Sequence, residues 1–467
     1  MLNIQTLSKE KLSSLWEGRS PIIGYWLLII RYPLRVAVRR DAAQSVISYL
    51  VSGIGHPASG IRHRAASICY LVLCYSLFNV AQAQAPQLSD YSSVSLITVS
   101  PGEELYSGFG HSALWVADPS QGIDRIYNYG TFDFRTEGFY IKFLRGTLPY
   151  QLSVGSLEGI MYGAKMEQRS VKEQALNLTK AQRQQVFEFL ETNYQPQNRQ
   201  YPYKFFYDNC SSRLRDVLIS SLKDSIVFNN YLIEKDLAKE AGFDATFPKT
   251  YRGWIHRYAA ETKPWADFGM SLAIGQPADD TTSYYSAMFL PDNLSGAFSF
   301  ATVHAGGNWI PLVARSTKLF TPYKTQMERG SLLTPELLGW LLLFGGVLLT
   351  IFQVRDKKKG LLFDKLLFSV AGLAGWLLVF LWFGTDHGVT RYNWNVAWAI
   401  PLHFPLILMA STKNKKLWLS KFYLLVGIAM LVLLAAWSFL PQELPSPAIP
   451  LVLLLSIRAF RVASLVK

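Results

Sequence analysis

Two residues of this chain have types suited to covalent chemistry: Cys210, in FFYDNCSSRLRD (205–216), and His111, in GFGHSALWV (108–116). The thiolate, not the thiol, is the nucleophile, and a cysteine pKa falls at a helix N-terminus or beside an imidazole. Asp208 and Asn209 are good N-cap residues, and Leu214, Val217, Leu218 and Leu222 follow at helical spacing. Cys210 is therefore expected in the first turn of a helix. His111 is the matching base, with Gly108 and Gly110 leaving room for backbone or substrate beside its ring. The other two cysteines, Cys69 and Cys74, lie in an apolar stretch patterned as a removable export signal. That leaves Cys210 unpaired in an oxidising compartment, where a free thiol marks a reactive group. A buried cysteine near a helix start and a histidine beside a strand are each commonly structural. Their conjunction in one exported chain favours a nucleophile and its base.

The elements that must position this pair lie in residues 84–333, read as a soluble domain of mixed type. VSLITV (94–99), SALWVA (112–117) and DRIYNYG (124–130) alternate as short strands. LTKAQRQQVFEFLETNY (178–194) reads as a helix, with Thr179 and Gln182 as a capping box and Val186, Phe187, Leu190 and Tyr194 on one face. Before this domain, Arg62, His63 and Arg64, the apolar run Ala65 to Val80 and the AQA at 81–83 make residues 61–83 a signal peptide, with Gln84 the expected mature N-terminus. Residues 1–60 are an extension of uncertain character, expected to precede the true start of translation. From residue 334 to 467 the chain reads as membrane, with apolar spans at 335–353, 366–384, 394–410, 421–440 and 443–460, each near the length a bilayer requires.

Composition agrees. The chain has 467 residues, 50% hydrophobic, 14% aromatic and only 17% charged, with a net charge of +13. The length exceeds one compact core, so at least two units are expected. The positive charge sits largely beside apolar spans and no nucleic-acid motif accompanies it, so no nucleic acid is expected as a partner. RDKKKG (355–360), KNKK (413–416), Arg458, Arg461 and Lys467 are basic, whereas 385–395 and 441–447 are nearly free of Lys and Arg. By the positive-inside rule the 84–333 domain and those two loops lie outside and the C-terminus inside. Without HExxH, a cysteine cluster or a glycine-rich phosphate loop, no metal or nucleotide cofactor is expected.

GFGHSAL, YNYGTFDF (127–134), YDNCSSR (207–213), IGQPADDTTSYYSAMFLPDNL (274–294) and the five-span tail, in this order, resemble the Lnb-type bacterial lipoprotein N-acyltransferases. The likeness runs from residue 94 to the C-terminus. It implies an α+β fold: a permuted papain-like periplasmic domain, histidine before cysteine, followed by an all-α five-helix transmembrane domain in the inner membrane. It implies Cys210 as nucleophile and His111 as general base, transferring an acyl chain from a membrane phospholipid through a thioester to the N-terminal amine of diacylated lipoproteins. A third group should orient His111, and Asn128 on the next strand is the candidate. Asp208, Asn209 and Arg213 are candidates to shape the pocket or bind phosphate, with capping and salt bridging left open. In loop 385–395, where headgroups lie, His387, Asn393 and Asn395 are candidates for substrate binding, beside Asp386 and Arg391. Trp394 and Trp398 read as interfacial anchors, His256 and His304 as histidines without evident partners, and His403 as a protein-facing residue between two prolines. Two alternatives stand beside this: a thiol amidase or peptidase acting on cell-wall peptides, and a non-catalytic membrane scaffold.

Overall fold

The alternating segments form the centre of an antiparallel sheet: VSLITV lies in β1 (Ser93–Val99), SALWVA in β2 (His111–Asp118) and DRIYNYG in β3 (Ile123–Thr131). β1 pairs with β2 from Ser93↔Ala117 to Val99↔His111, and β2 with β3 from Leu114↔Tyr127 to Asp118↔Ile123. These elements come from a computed structural model that describes residues 85–229, 248–322, 332–357 and 360–467, the side chain of Leu105 excepted. The expected extension over 1–60 and signal peptide over 61–83 lie outside the described residues. β4 (Pro149–Gly155), β5 (Val171–Leu176), β6 (Gln200–Pro202) and β10 (Val313–Phe320) complete a seven-stranded sheet of order β10-β5-β1-β2-β3-β4-β6. A small sheet joins β7 (Ile226–Val227), β8 (Thr302–Ala305) and β9 (Asn308–Pro311).

Between the strands run α1 (Phe139–Arg145), α2 (Leu157–Met166), α3 (Lys180–Tyr194) and α4 (Cys210–Leu222). Side chains alternate across a strand, so each sheet face needs its own cover. Ile97, Val99, Ala113, Ile126 and Val171 share one face with Leu157, Ile160, Met161 and Ala164 of α2. α4 lies across β2 and β3 and packs on α3, with Leu214, Leu218, Val186, Phe187 and Leu190 fully buried. α3 begins with the expected capping box, Thr179 accepting from the Gln182 N–H and Gln182 from the Thr179 N–H. α5 (Tyr251–Ala259), α6 (Pro264–Ala273) and α7 (Pro291–Phe300) follow.

Among the described residues the tail holds four helices long and apolar enough to cross a membrane: α8 (Pro335–Arg355), α9 (Leu362–Phe383), α11 (Leu417–Ala435) and α12 (Ala448–Val466). The third expected span, 394–410, is corrected. It is a 3-10 turn, Trp394–Ala397, then a break, then the six-residue α10 (His403–Leu408). Pro401 lacks an N–H and biases the residue before it away from helix, which accounts for the break. Such backbone is tolerated at membrane depth only when protein covers it. α9 provides the cover with Gly375 and Gly372: a Cβ on the first would overlap the Ala399 carbonyl, and on the second the Phe404 backbone. The segment still runs antiparallel to α9, from the end near the sheet domain towards the other.

At that far end Arg458 and Arg461 are buried rather than exposed flanking charges. Arg458 makes paired bonds of 2.6 and 2.8 Å to Asp364 and also donates to Thr350, while Arg461 reaches Asp364 at 3.1 Å. The cluster ties α8, α9 and α12 together. Asp364 is the carboxylate shared by both buried guanidiniums, so Asp364→Leu strands them and is expected to lower stability by about 3–5 kcal/mol. A thermal melt of the detergent-solubilised protein checks this.

Residues 87–467 form one unit, and the sheet domain and bundle meet through backbone. The Gly275 N–H donates to Val389 O at 2.8 Å, and a Cβ there would overlap the Arg391 carbonyl. Arg252, fully buried, pairs with Asp279 at 2.9 and 3.0 Å and donates to the carbonyls of Ser271, Ile274 and Gly275. The IGQPADD string is thus the joint between the domains.

Candidate active site

Cys210 is the first residue of α4. Asn209 is the N-cap, its Oδ1 accepting from the N–H groups of Ser211 and Ser212, both at 2.9 Å. Its amide donates to the carbonyls of Phe205 and Phe289, which fixes the helix start against its surroundings. This leaves the Cys210 N–H, one of the free donors of a helix end, without an acceptor among the described residues. The thiol is 9% exposed.

His111 opens β2, two strands of the sheet bringing it and Asn128 together. Gly110 precedes it at φ +83°, in the left-handed region, and so close to Val99 O that a Cβ would stand 2.8 Å away. The His111 ring lies beside Cys210, each shifting the other's proton affinity, and its Nε2 stands 3.1 Å from Asn128 Oδ1. With Nε2 engaged on Asn128, Nδ1 is the nitrogen left for sulfur. Nε2–H donating to Asn128 fixes the tautomer that can accept the thiol proton at Nδ1. The three sequence candidates for nucleophile, base and orienting group therefore stand together, His111 bonded to Asn128 and electrostatically coupled to Cys210.

The pair's electrostatics follow from burial opposed by contact. Burial alone pushes the Cys210 thiol up. The hydrogen bond and charge of His111, with the Ser112 N–H and the Ser211 hydroxyl, outweigh it and hold the thiol below its ordinary value. Burial pushes His111 down, but Cys210 and then Asn128 raise it above the usual imidazole range, against a smaller opposing charge from Arg169. Both shifts favour thiolate beside imidazolium, with the positive end of α4 acting in the same sense.

Other expected site residues sit elsewhere or are already engaged. Asp208 and Arg213 form a two-point ion pair of 2.6 and 2.8 Å, and the Arg213 guanidinium lies 3.6 Å from the Tyr201 ring centroid. Asn393 and Asn395 are buried. The Asn393 amide donates to Leu272 O and Ala273 O, and that of Asn395 to Ser271 O, so both bind the loop to α6 rather than face headgroups. His387 is half-buried, its Nε2 3.0 Å from Leu144 O at the end of α1. Trp398 is corrected from an interfacial anchor: it is buried and donates to Asn395 Oδ1. His256 does have a partner, Asp267 at 2.7 Å. A cavity of about 430 Å³ lies between α5, α6 and the starts of α8 and α12, lined by His256, Asp267, Glu336 and Glu443 among others, and does not include the thiol. Among the described residues no group of three His, Cys, Asp or Glu could hold a metal ion.

Sequence reasoning passed over Gly130, Tyr201 and Tyr203. Gly130 sits where β3 bulges against β4, at φ +85°. A Cβ there would lie 3.4 Å from the Tyr203 ring, 3.6 Å from Cys210 Cβ and 3.9 Å from the Tyr201 hydroxyl. The signal was present as the run of aromatics QYPYKFFY ahead of Cys210. Gly130→Ala is expected to cost about 1–3 kcal/mol through backbone strain and to slow alkylation of Cys210 by setting a methyl beside it. A melting curve and a timed iodoacetamide reaction read the two effects.

A buried thiol at a helix start, lined up with an imidazole and an amide, on a domain fused to a bundle of apolar helices, defines a membrane-anchored protein of the thiol-site class. Residues 81–233 match the family model for the Lnb N-terminal periplasmic domain and residues 326–467 that for the Lnb transmembrane domain. The chain belongs to the Lnb family, and is a multi-pass, membrane-associated periplasmic enzyme of that type. No curated protein and no solved structure matches it.

Proposed function

We propose that the protein is a lipoprotein N-acyltransferase of the bacterial inner membrane, with its catalytic domain on the periplasmic side and its C-terminus in the cytoplasm. The observation that carries this is the Cys210–His111–Asn128 line at a helix start, in a domain hydrogen-bonded to membrane helices. In the first half-reaction the Cys210 thiolate attacks an ester carbonyl of a membrane phospholipid. The carbon–oxygen bond breaks, the His111 imidazolium gives its proton to the departing alkoxide, and lysophospholipid leaves a thioester on Cys210. In the second, the N-terminal amine of a diacylglyceryl-cysteine lipoprotein attacks the thioester. His111 takes a proton from the amine, the carbon–sulfur bond breaks, and the amide leaves with the thiolate restored. The Cys210 N–H is the donor placed to meet the developing oxyanion. Asn128 holds the imidazole in register. The permuted papain-like reading of the domain belongs to the same proposal.

The membrane bundle favours this reading over a peptidase acting on cell-wall peptides. Both proposed substrates are anchored by acyl chains, and extraction costs about 0.8 kcal/mol for each CH₂ exposed. A thiol fixed at the bilayer surface avoids that cost, whereas a water-soluble peptide needs no such tether. The distinguishing experiment expresses the protein in a host lacking N-acylation and weighs its lipoproteins. A gain of one acyl chain per lipoprotein is expected; cleaved peptides with unchanged lipoproteins would establish the amidase instead.

A further inference from the structure

A route for the lipid follows from apolar side chains that the chemistry above leaves unused. α1 has the sequence FYIKFLR and leaves Tyr140 82%, Ile141 67%, Phe143 50% and Leu144 47% exposed. Four large apolar side chains on seven residues facing solvent are costly unless something apolar meets them. Their place in the fold says what does. The Asp386 N–H, just beyond the end of membrane helix α9, donates to Arg145 O at 2.7 Å, and His387 bonds Leu144 O. Lys204 pairs with Asp386 at 3.1 Å. Gly146 packs on the same two residues, its notional Cβ 3.0 Å from His387 N. α1 is therefore pinned to the rim of the apolar belt, where Phe383 and Tyr392 are also exposed. Lys142 and Arg145 supply the basic residues of an interfacial helix.

From this rim a line of rings leads inward. Phe143 stacks on Phe139 at 6.1 Å, Phe139 meets Phe132 at 5.8 Å, Phe132 meets Tyr150 at 5.3 Å, and Tyr150 stacks on Tyr203 at 4.4 Å. Tyr203 borders Gly130, whose bare Cα also faces Cys210. Phe132, Tyr150 and Tyr203 are each half-buried while Phe139, beneath the exposed Phe143, is buried, so the line is partly open to solvent and not a sealed core. Within the line the rings nearest the rim, Phe143, Phe139 and Phe132, carry no hydroxyl, and hydroxyls enter it at Tyr150 and Tyr203, towards the thiol. That gradient suits a lipid whose tail lies towards the bilayer and whose ester lies at the sulfur.

We infer that the strip Phe139–Phe132–Tyr150–Tyr203 is the acyl-chain track, along which one tail of a bilayer phospholipid lies while its ester reaches Cys210. This deepens the acyltransferase reading and rests on it for the choice of a phospholipid. The test uses the full-length Cys210→Ala protein, which cannot turn over, in phosphatidylethanolamine bilayers doped with a phospholipid carrying a diazirine on its acyl chain. After irradiation, labelled peptides are mapped by mass spectrometry. Label is expected on the peptides holding Phe132, Phe139, Tyr150 and Tyr203 as well as on the membrane helices. Tyr150→Asp, which sets a charge in the track, is expected to cut the strip label about tenfold and leave the membrane helices labelled. Label confined to the membrane helices, or strip label unchanged by Tyr150→Asp, overturns the track. Strip label in a protein whose wild type forms no acyl thioester keeps the track and removes the transferase. A thioester without strip label does the reverse.

Discussion

Cys210→Ala is expected to yield a folded, membrane-inserted protein that acylates lipoproteins at least about 10³-fold more slowly than wild type. The fold should survive because the sulfur is not a structural link. Its contacts are His111, the Ser112 N–H and the Ser211 hydroxyl, at 3.9 Å, each a polar group of the site. Asn209, not Cys210, caps the helix. A change that removes one sulfur atom at 9% exposure costs about 1 kcal/mol. The rate should collapse because both half-reactions pass through the carbon–sulfur bond. Cys210→Ser is expected to fail as well: a hydroxyl beside the same imidazole stays protonated where the thiol ionises. Lipoprotein mass in a host without its own N-acylation measures the rate, and a melt verifies the fold. Either variant acylating at the wild-type rate would move the chemistry away from this thiol.

His111→Ala is expected to lower acyl transfer by about 10²–10⁴-fold and to change its pH dependence in a defined direction. In the wild type the thiol lies below its ordinary value, so the rate falls on the acid side only when Cys210 becomes protonated, at a pH lower than for a free thiol. His111 lies above its ordinary value, so the imidazolium that protonates the leaving alkoxide persists further into alkali before it is lost. The two shifts move the acid limb to lower pH and the alkaline limb to higher pH than an ordinary thiol and imidazole would give. Removing the imidazole leaves burial as the largest influence on Cys210, which raises it; the Ser112 N–H and Ser211 hydroxyl oppose in part. The midpoint for iodoacetamide alkylation should therefore move to higher pH, and the alkaline arm of the transfer profile should disappear. Unaltered alkylation in His111→Ala would mean that sulfur and imidazole do not share a proton.

The chemistry-bearing residues were legible because their constraints are local. An N-cap pair ahead of Cys210, an apolar helical stripe after it and alternation around His111 and Asn128 each depend on a few neighbouring residues, and β1, β2, β3, α3 and α4 formed as their patterns required. What the linear pattern hid was long-range. Apolarity marked 394–410 as a span, but the break at Pro401 is tolerable only because Gly372 and Gly375, on another helix, leave room for it. Basic residues at 458 and 461 read as flanking charge, whereas Asp364, nearly a hundred residues earlier, buries them. Asn393 and Asn395 lie in a polar loop of the type that meets headgroups, yet the carbonyls they bind belong to α6, more than a hundred positions away. The aromatic track is of the same kind, with rings drawn from the loop after β3, α1, β4 and the segment before α4. None of these groupings has a period that a window along the chain would detect.

The most direct measurement is the intact mass of the protein after brief incubation with phospholipid bilayers and an acid quench, without a lipoprotein acceptor. The mechanism predicts a species heavier by one acyl chain, mapped to the Cys210 peptide, removed by neutral hydroxylamine and absent from Cys210→Ala. An unmodified Cys210 under conditions where the same preparation acylates lipoproteins would contradict it, and would require the acyl group to pass from lipid to amine without resting on the sulfur.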